Sequence, residues 1–417
     1  MNYIDLFAGA GGLSEGFIKE GFTPVAHVEM DKAACFSLKT RAAYHYLSQN
    51  GKLNLYVKYL KGELDRRELY DLIPEEILDS VINMPIGPEF NDKIHKQILR
   101  YTRQKEVDLI IGGPPCQAYS LVGRARSENN MEGDPRNYLY KQYAKYLEKY
   151  NPKMFVFENV LGLLSAKKGE YLRSMEKLFD KKGYKMQLFS IEANDFGVLQ
   201  NRKRIIILGW KDDFVPNIPD LEKIKLSDST TVHAIFQDLP TLQAGTGVDK
   251  YQEYTSNKPI KYLEKSLIRN KAISVLTQHV SRPHTAQDKE IYRIAVNKWK
   301  NERERLDYND LPDRLKTHKN RHSFVDRFKV VAEDLMYSQT VVAHIAKDGH
   351  YYIHPDLKQN RSISVREAAR LQSFPDDYYF EGVKEKAGRT AAFKQIGNAV
   401  PPLMAGVIAK EIKQILK

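Results

Sequence analysis

The chain of 417 residues contains only two cysteines, Cys35 and Cys116. Two cysteines cannot form a disulfide framework, and their scarcity is typical of a reducing, intracellular setting. No apolar run approaches the ~20 residues of a membrane span, and the N-terminal residues lack the basic leader of a signal peptide. No Cys/His cluster has the spacing of a metal site. We therefore expect a cytoplasmic protein that needs neither a membrane nor a metal.

The charge is positive overall and unevenly distributed. The formal net charge is +12, and the segment from Tyr251 to Val330 alone holds 18 Lys and Arg against 10 Asp and Glu. Tyrosines and Trp299 interleave with these cations. Such a stretch fits phosphate neutralisation combined with stacking on bases. It fits a solvated helical surface equally well, so composition alone leaves both interpretations open.

The first half of the chain alternates short apolar runs with amphipathic segments. This alternation predicts an α/β fold with a doubly wound, mostly parallel sheet. The predicted strands are Tyr3–Phe7, Pro24–Val28, Val107–Ile111, Lys153–Phe157 and Arg204–Gly209, and the predicted helices are Leu13–Glu20, Asn137–Tyr150 and Tyr171–Lys182. Residues 41 to about 105 are charged and helical in character, without a clear strand pattern. Ligands of such sheets collect at the carboxyl ends of the strands.

A glycine-rich turn, Asp5-Leu6-Phe7-Ala8-Gly9-Ala10-Gly11-Gly12, follows the first predicted strand. Glycines let the backbone turn sharply and approach a ligand closely. Glu29, about twenty residues further on, ends the second strand, where nucleotide-binding folds hold ribose hydroxyls. A tight turn without a ligand has a similar glycine pattern. The strand and the spaced acid favour an adenosine-containing cofactor, either a dinucleotide or S-adenosylmethionine.

Cys116 lies just past the third predicted strand, in Gly113-Pro114-Pro115-Cys116-Gln117. The two prolines stiffen the approach to it. A thiolate is a suitable nucleophile for an electron-poor ring carbon. The alternative is a buried structural thiol, which is the usual state of a free cysteine. We assign Cys35, which has no supporting motif, to that alternative.

Further polar residues adjoin the next two strands. Glu158 ends an apolar strand, and a partly desolvated glutamate can protonate a ring nitrogen. The alternative for Glu158 is an acid at a helix N-terminus. Arg202 and Arg204 are two residues apart, so on an extended chain they face the same side. Their guanidiniums are suited to grip a carbonyl oxygen or a phosphate, although a salt bridge at the rim is also possible.

Together these segments resemble the cytosine-C5 DNA methyltransferase family. The similarity rests on six segments in the family's order: residues 5–12, Gly113-Pro114-Pro115-Cys116-Gln117, Glu158-Asn159-Val160, Gln200-Asn201-Arg202-Lys203-Arg204, Arg366-Glu367-Ala368-Ala369-Arg370-Leu371-Gln372-Ser373-Phe374-Pro375 and Gln395-Ile396-Gly397-Asn398-Ala399-Val400. It covers about 1–40, 107–215 and 360–417. The resemblance implies a Rossmann-like, S-adenosylmethionine-dependent methyltransferase with a second, smaller target-recognition domain.

The resemblance also assigns residue roles. It implies that the cofactor is bound by Phe7, Gly9, Gly12, Glu29, Pro114, Leu139 and Asn398, with S-adenosylhomocysteine as the product. Met30 stands where relatives often have an aromatic residue to stack on the adenine. The family's acid at the adenine amino group has no clear counterpart, and Glu89 and Asp92 are weak candidates for it.

For catalysis, the resemblance implies that Cys116 attacks C6 of a flipped-out cytosine and that Glu158 contacts N3 and the amino group. Arg202 and Arg204 hold the base, with Arg204 at O2. Residues 117–136 resemble a loop that closes over DNA. The DNA-binding candidates are Gln117, Ser120 and Arg124 in that loop, and Arg282 and Arg321 in the basic stretch.

The expected organisation is a catalytic domain over 1–215 with a helical insertion at about 41–105, a target-recognition domain over 216–385 and a returning segment over 386–417. The resemblance implies a monomer acting on double-stranded DNA in a bacterial restriction–modification system, beside an endonuclease for the same site. Three alternatives are a transfer-RNA cytosine methyltransferase, a catalytically silent DNA-binding regulator and a dinucleotide oxidoreductase. The retained catalytic residues argue against the silent regulator, and the motifs beyond residue 40 argue against the oxidoreductase.

Overall fold

The structure is a computed structural model that describes residues 1–102, 106–115, 138–214, 216–226, 229–256, 258, 260–322, 324–385 and 388–417. Its centre is a seven-stranded sheet with the strand order β3-β2-β1-β4-β5-β7-β6. The strands are β1 (Asn2–Leu6), β2 (Thr23–Glu29), β3 (Val81–Asn83), β4 (Leu109–Gly112), β5 (Met154–Asn159), β6 (Tyr184–Glu192) and β7 (Lys203–Lys211). All neighbours pair in parallel except β7, which is antiparallel to β5 and β6. The predicted doubly wound, mostly parallel sheet is confirmed.

Helices cover both faces of this sheet. They are α1 (Gly12–Lys19), α2 (Lys32–Gln49), α3 (Leu53–Lys61), α4 (Arg66–Asp71), α5 (Glu75–Asp79), α6 (Asn91–Thr102), α7 (Leu139–Tyr150), α8 (Gly162–Ser165) and α9 (Glu170–Lys181). The second half of the chain adds α10 (Lys261–Lys265), α11 (Ala286–Glu302), α12 (Val365–Leu371), α13 (Arg389–Asn398) and α14 (Pro402–Leu416). It also contains a two-stranded sheet of β8 (Gly247–Val248) and β9 (His279–Val280). No helix in the described part of the chain is long and apolar enough to cross a membrane.

The C-terminal helix α14 packs directly on α1. A Cβ added at Gly16 would lie 2.4 Å from the backbone nitrogen of Gly406, so only glycine permits this approach. A Cβ at Gly12 would lie 2.2 Å from the carbonyl oxygen of Val400. These two contacts hold the end of the chain against the glycine-rich turn, although the two segments are far apart in sequence.

The segment predicted as a helical insertion contains a strand of the central sheet. Helices α2 to α5 pack around Tyr56, Tyr59 and Leu60, and this core also includes Ile273 and Tyr379 of the second half. Strand β3 follows α5 and pairs in parallel with the end of β2. Three residues are too few to show the alternation by which strands are recognised in a sequence, so the prediction missed β3.

Buried ion pairs join elements of the second half. Arg361 and Glu367 are both buried and are linked by two hydrogen bonds of 2.7 Å. Burial alone would raise the pKa of Glu367, but the Arg361 guanidinium outweighs burial and lowers it. Glu367 also completes the N-terminal capping box of α12 with Ser364. The start of α12 is therefore fixed by charged groups that water does not reach.

His354 makes the stability of this region depend on pH. Burial, together with the charge of Arg361, lowers the pKa of His354 to about 3, although Glu367 and Asp356 act in the opposite direction. Since the folded pKa lies below the unfolded value of about 6.5, stability is full above pH 6.5 and is lost as the pH falls towards 3. We expect His354→Gln to flatten the pH slope of the unfolding free energy by about 1 kcal/mol per pH unit between pH 6 and 4.

Urea unfolding at several pH values measures this slope. His322→Gln, a change at an exposed histidine, is the control and should keep the slope of the parent protein. An unaltered slope in His354→Gln would contradict the assignment.

Candidate active site

The predicted site residues follow strands that end at one edge of the sheet. Strands β1, β2, β4 and β5 are parallel neighbours, so their carboxyl ends lie side by side. The glycine-rich turn follows β1, and Glu29 ends β2. Pro114 follows β4, and Glu158 is the second-last residue of β5. This is the edge at which open α/β sheets bind their ligands.

Glu29 is bonded to the glycine-rich turn. Its carboxylate accepts the backbone N–H of Gly9 at 2.8 Å and that of Asp31 at 2.7 Å. Burial raises the pKa of Glu29, and these two backbone hydrogen bonds partly oppose that rise. Phe7 and Gly9 both have positive φ, and a Cβ at Gly9 would meet no atom within 4 Å. Open space therefore lies beside a turn whose backbone a ligand can approach closely, with a carboxylate acceptor next to it.

Met30 and Asn83 adjoin the backbone of Glu29. Met30 is 66% exposed, which is high for a large apolar side chain. The Asn83 amide, at the end of β3, donates to the carbonyl oxygens of Glu29 and Met30 at 3.1 and 3.0 Å. Glu89 and Asp92, the candidates considered for the adenine amino group, are exposed beside α6. Asn83 was missed because β3 was missed; a polar residue that ends a short apolar run was its only signal.

Three further cofactor candidates occupy different surroundings. Pro114 is buried, and its carbonyl oxygen accepts the Asn159 amide at 3.3 Å. Leu139 is half-buried at the first position of α7. Asn398 is exposed at the last position of α13, two residues before the Val400 carbonyl that packs against Gly12. Pro114 and Asn398 thus lie on segments next to the sheet edge that carries Glu29 and the glycine-rich turn.

Glu158 and Arg204 form an ion pair where β5 ends and β7 begins. The Arg204 Nε atom lies 2.8 Å from Glu158 Oε1, and both side chains are mostly buried. A Cβ at Gly113 would lie 2.6 Å from Glu158 Oε2, so the chain just before Pro114 and Pro115 runs directly beside this carboxylate. Cys116, Gln117, Ser120 and Arg124 lie outside the described residues.

The expectation that Arg202 holds the base together with Arg204 requires a correction. Arg202 is completely buried, and its guanidinium donates to the carbonyl oxygens of Val341, Gly397 and Ala399. The side chains of Arg202 and Arg204 do not face the same side of an extended strand, because β7 begins only at Lys203 and Arg202 lies before it. Before it, the chain is drawn towards Ser338 by backbone pairing. Arg202 thus joins three segments of the fold, and Arg204 alone faces Glu158.

A cleft of about 840 Å³ opens next to Arg204. One wall is formed by residues 160–162, 201 and 203–204 of the sheet half, and the other by Trp299, Arg305 and residues of the segment 330–340. The cleft therefore lies between the Glu158–Arg204 pair and the second half of the chain.

The two basic DNA-contact candidates differ. Arg282 donates to the carbonyl oxygens of Ile345, Ala346 and Lys347, at the end of the 3₁₀ helix Ala343–Ala346. The prediction that Arg282 contacts DNA is corrected accordingly, because both terminal nitrogens of its guanidinium donate to backbone carbonyls at a helix end. Arg321 is exposed. Several other cations of the basic stretch are paired with acids, as Arg314 is with Glu290 and Arg303 with Asp334.

Comparison with known proteins identifies the family. The C-5 cytosine-specific DNA methylase family matches residues 1–54 and 83–414. The unmatched residues 55–82 contain α4, α5 and most of α3. The chain belongs to this family, as the sequence predicted.

Similar proteins of known type cover the full length. The chain is 42% identical to the type II methyltransferase M.Bpa9945I of Bacillus paralicheniformis, over 100% of this chain and 99% of that protein. It is 30% identical to the type II methyltransferase M.DdeI of Desulfomicrobium norvegicum, over 99% and 88% of the two chains. The chain is a DNA (cytosine-5)-methyltransferase of the type found in bacterial restriction–modification systems.

Solved structures agree with this fold. A chain from an E. coli prophage described as a DNA modification methyltransferase superposes with a TM-score of 0.65 at 22% identity, covering 100% of this chain and 99% of that one. The Entamoeba histolytica methyltransferase EhMeth gives a TM-score of 0.54 at 12% identity, covering 99% and 98%. At these identities the likeness concerns the fold alone.

Proposed function

We propose that this chain methylates a flipped-out cytosine in duplex DNA through Cys116, Glu158 and Arg204. The observation that carries the proposal is the Glu158–Arg204 pair, held beside residues 113–115 at the edge of the sheet. Cys116 follows this segment directly in the sequence. The pair can contact two polar atoms of one pyrimidine ring: Glu158 hydrogen-bonds N3, and Arg204 hydrogen-bonds O2.

Cytosine C5 is a poor nucleophile until the ring is activated. Addition of the Cys116 thiolate to C6, with Glu158 hydrogen-bonded at N3, converts the ring into an enamine whose C5 is nucleophilic. Once C5 has taken the methyl group, a base removes the C5 proton, Cys116 leaves C6 as the thiolate and the N3 proton returns to Glu158, which restores the aromatic ring. The C6 face is inaccessible in a stacked base pair, so the base must leave the helix at a cost of a few kcal/mol.

S-adenosylmethionine is the methyl donor that fits the sheet edge formed by Glu29 and the glycine-rich turn. When bound, it supplies the methyl group and becomes S-adenosylhomocysteine. Glu29 is suited to accept a ribose hydroxyl, since a carboxylate has about four acceptor positions and the backbone N–H groups of Gly9, Met30 and Asp31 do not fill them all. The exposed Met30 thioether offers the adenine a soft apolar surface. The open space beside Gly9 leaves room for the rest of the cofactor, with Phe7, Gly12, Pro114, Leu139 and Asn398 as further contacts.

Glu29→Ala tests this cofactor site. We expect it to weaken S-adenosylmethionine binding by roughly 1–3 kcal/mol, because a charged hydrogen-bond acceptor is lost. Titration calorimetry measures the change. Glu63→Ala, at an exposed acid of the inserted helices, is the matched control. Equal affinities of the two variants would make Glu29 a purely structural residue.

The function itself is tested with the purified chain, labelled S-adenosylmethionine and two nucleic acids, duplex DNA and transfer RNA. Digestion to nucleosides followed by mass spectrometry should detect 5-methylcytosine from the DNA only. Label in the transfer RNA instead would favour the alternative substrate. Methylation-sensitive sequencing of DNA from a host that expresses the chain would then read its target sequence.

Sequence recognition belongs to the second half of the chain. Glu158, Arg204 and the cofactor-binding residues contact a cytosine and a cofactor that are the same at every target sequence. The contacts to base edges that distinguish one target from another must therefore come from other residues. The exposed Arg321 remains available for a phosphate or a guanine edge. We place the enzyme in the cytoplasm as a monomer on the DNA, beside an endonuclease that cuts the same sequence when it is unmethylated.

A further inference from the structure

The loop Asp334–Tyr337 carries three large apolar side chains on the surface. Leu335, Met336 and Tyr337 are 42%, 39% and 44% exposed, although the residues on either side, Ala332 and Ser338, are buried. Scattered exposed apolar residues are normal, but consecutive ones beside a polar cleft mark an interaction site. The sequence motifs assign no role to this loop.

The loop is anchored to the second half of the chain through Asp334 and Leu335, and to the catalytic half through Ser338, which follows it. The carbonyl oxygen of Leu335 accepts the Val232 N–H at 2.8 Å, and Ser338 pairs with Leu199 and Asn201 through two backbone hydrogen bonds of 3.1 and 2.9 Å. Asp334 accepts the Trp299 indole N–H at 2.9 Å and pairs with Arg303 at 2.6 Å. Exposed side chains on so constrained a backbone are presented in a fixed position, which lowers the entropy cost of binding.

Two of the three side chains line the cleft beside the Glu158–Arg204 pair. Leu335 and Tyr337 contribute to its wall, whereas Met336, between them, does not. Leu161 lies on the opposite wall and is also partly exposed. Lys203, Arg204 and Arg305 line the same cleft. Besides Arg204, which contacts the target base, the basic Lys203 and Arg305 thus adjoin an apolar wall, as expected of a surface that meets a nucleic acid strand whose bases are exposed.

We propose that Tyr337 and Leu335 form an apolar wall that packs against the target strand beside the extruded cytosine and thereby favours the extruded state. A base leaving the stack exposes the faces of its neighbours, and apolar or aromatic side chains can cover those faces. Duplex DNA is the occupant because the wall is continuous with the groups that receive the target base. The inference rests on the base extrusion of the proposed function.

Binding to duplexes that differ at the target position tests the wall. The protein, with S-adenosylhomocysteine bound, is titrated with a duplex containing the paired cytosine, with one in which that cytosine faces a mismatched base and with one that lacks the target sequence. Tyr337→Ala should weaken binding to the paired duplex roughly tenfold or more, on the scale of one stacking contact. It should weaken binding to the mismatched duplex by a similar factor, because the extruded base leaves the same neighbouring faces for the wall to cover, but it should hardly weaken binding to a duplex that lacks the target sequence, where no base leaves the stack.

Three variants serve as controls. Met336→Ala, on the same loop but outside the cleft, should bind all three duplexes like the parent protein. Tyr337→Phe should retain the preference because it keeps the ring, and Leu335→Ala repeats the test if Tyr337→Ala fails to fold. Unchanged affinity for S-adenosylhomocysteine shows that the catalytic half is intact.

Three outcomes overturn the proposal. Equal losses on the target duplexes and on the duplex without the target sequence would make the wall an ordinary DNA contact, and a change in oligomeric state in place of DNA affinity would assign it to a second copy of the chain. If the parent protein methylates no DNA, the proposed function fails instead. If the parent protein methylates DNA normally and Tyr337→Ala binds DNA with undiminished affinity, only the proposed apolar wall is rejected.

Discussion

Cys116→Ala should bind S-adenosylmethionine and DNA but lose methyl transfer by roughly 10³-fold or more, since without a nucleophile the cytosine ring is not activated. Transfer of labelled methyl groups to duplex DNA measures the loss. Cofactor and DNA affinities measured on the same variant separate a chemical defect from a folding defect. Turnover close to that of the parent protein would sink the covalent mechanism.

The second cysteine provides the matched control. Cys35 is buried in α2, and its thiol donates to the Glu29 carbonyl oxygen at 3.3 Å. Burial, followed by the charge of Glu29, raises the pKa of Cys35 to about 12, so its thiol is not ionised at neutral pH. Cys35→Ala should therefore retain methyl transfer.

Duplex DNA that carries 5-fluorocytosine at the target position tests the attack of Cys116 on the base. Fluorine cannot leave C5 as the proton does, so the normal enzyme should remain covalently attached after methyl transfer. A denaturing gel should show the adduct for the parent protein and for Cys35→Ala, and none for Cys116→Ala. Absence of any adduct from an enzyme that methylates ordinary DNA would contradict attack by Cys116.

The sheet, and the edge at which the candidate site residues lie, could be predicted because strands buried on both faces must be apolar. Strands β4 and β5 read as apolar runs, and β1 is apolar apart from Asn2 and Asp5, so the polar residues at the ends of these strands stand out. Glu29 and Glu158 end such runs, and the parallel arrangement brings their ends to one edge. Local sequence was sufficient for that step, since it needed no knowledge of distant contacts.

The roles of the arginines could not be predicted in this way. Arg202 and Arg204 are equivalent in local sequence, but Arg202 is buried among carbonyl oxygens supplied by residues 341, 397 and 399. Arg282 is likewise bonded to a helix end more than sixty residues away. Whether a guanidinium faces backbone or ligand depends on which unsatisfied carbonyls the fold brings to it, and sequence spacing does not contain that information.

Arg370 shows how far such a structural role extends. It is completely buried, and it donates to Asp376 at 2.6 Å and to Asp238 at 2.6 Å. Asp238 is also paired with Arg269, and Asp376 accepts the Tyr254 hydroxyl at 3.0 Å. Arg370 also donates to the Ile235 carbonyl oxygen at 2.8 Å. One guanidinium thus connects α12 to two acids, one 132 residues and the other six residues away.

Arg370→Met should lower the free energy of unfolding by about 3–5 kcal/mol, because it leaves two buried carboxylates without their shared partner. Methionine nearly fills the space, so the loss reports the charges more than a cavity. Urea unfolding measures the change, and Arg314→Met is the control. Arg314 pairs with Glu290 at the exposed surface, where solvent screens the pair, and its loss should leave the unfolding midpoint unchanged. If the two variants unfolded at the same urea concentration, the buried network would not hold α12 in place, and the apolar core around Ala368, Ala369 and Leu371 would have to do so alone.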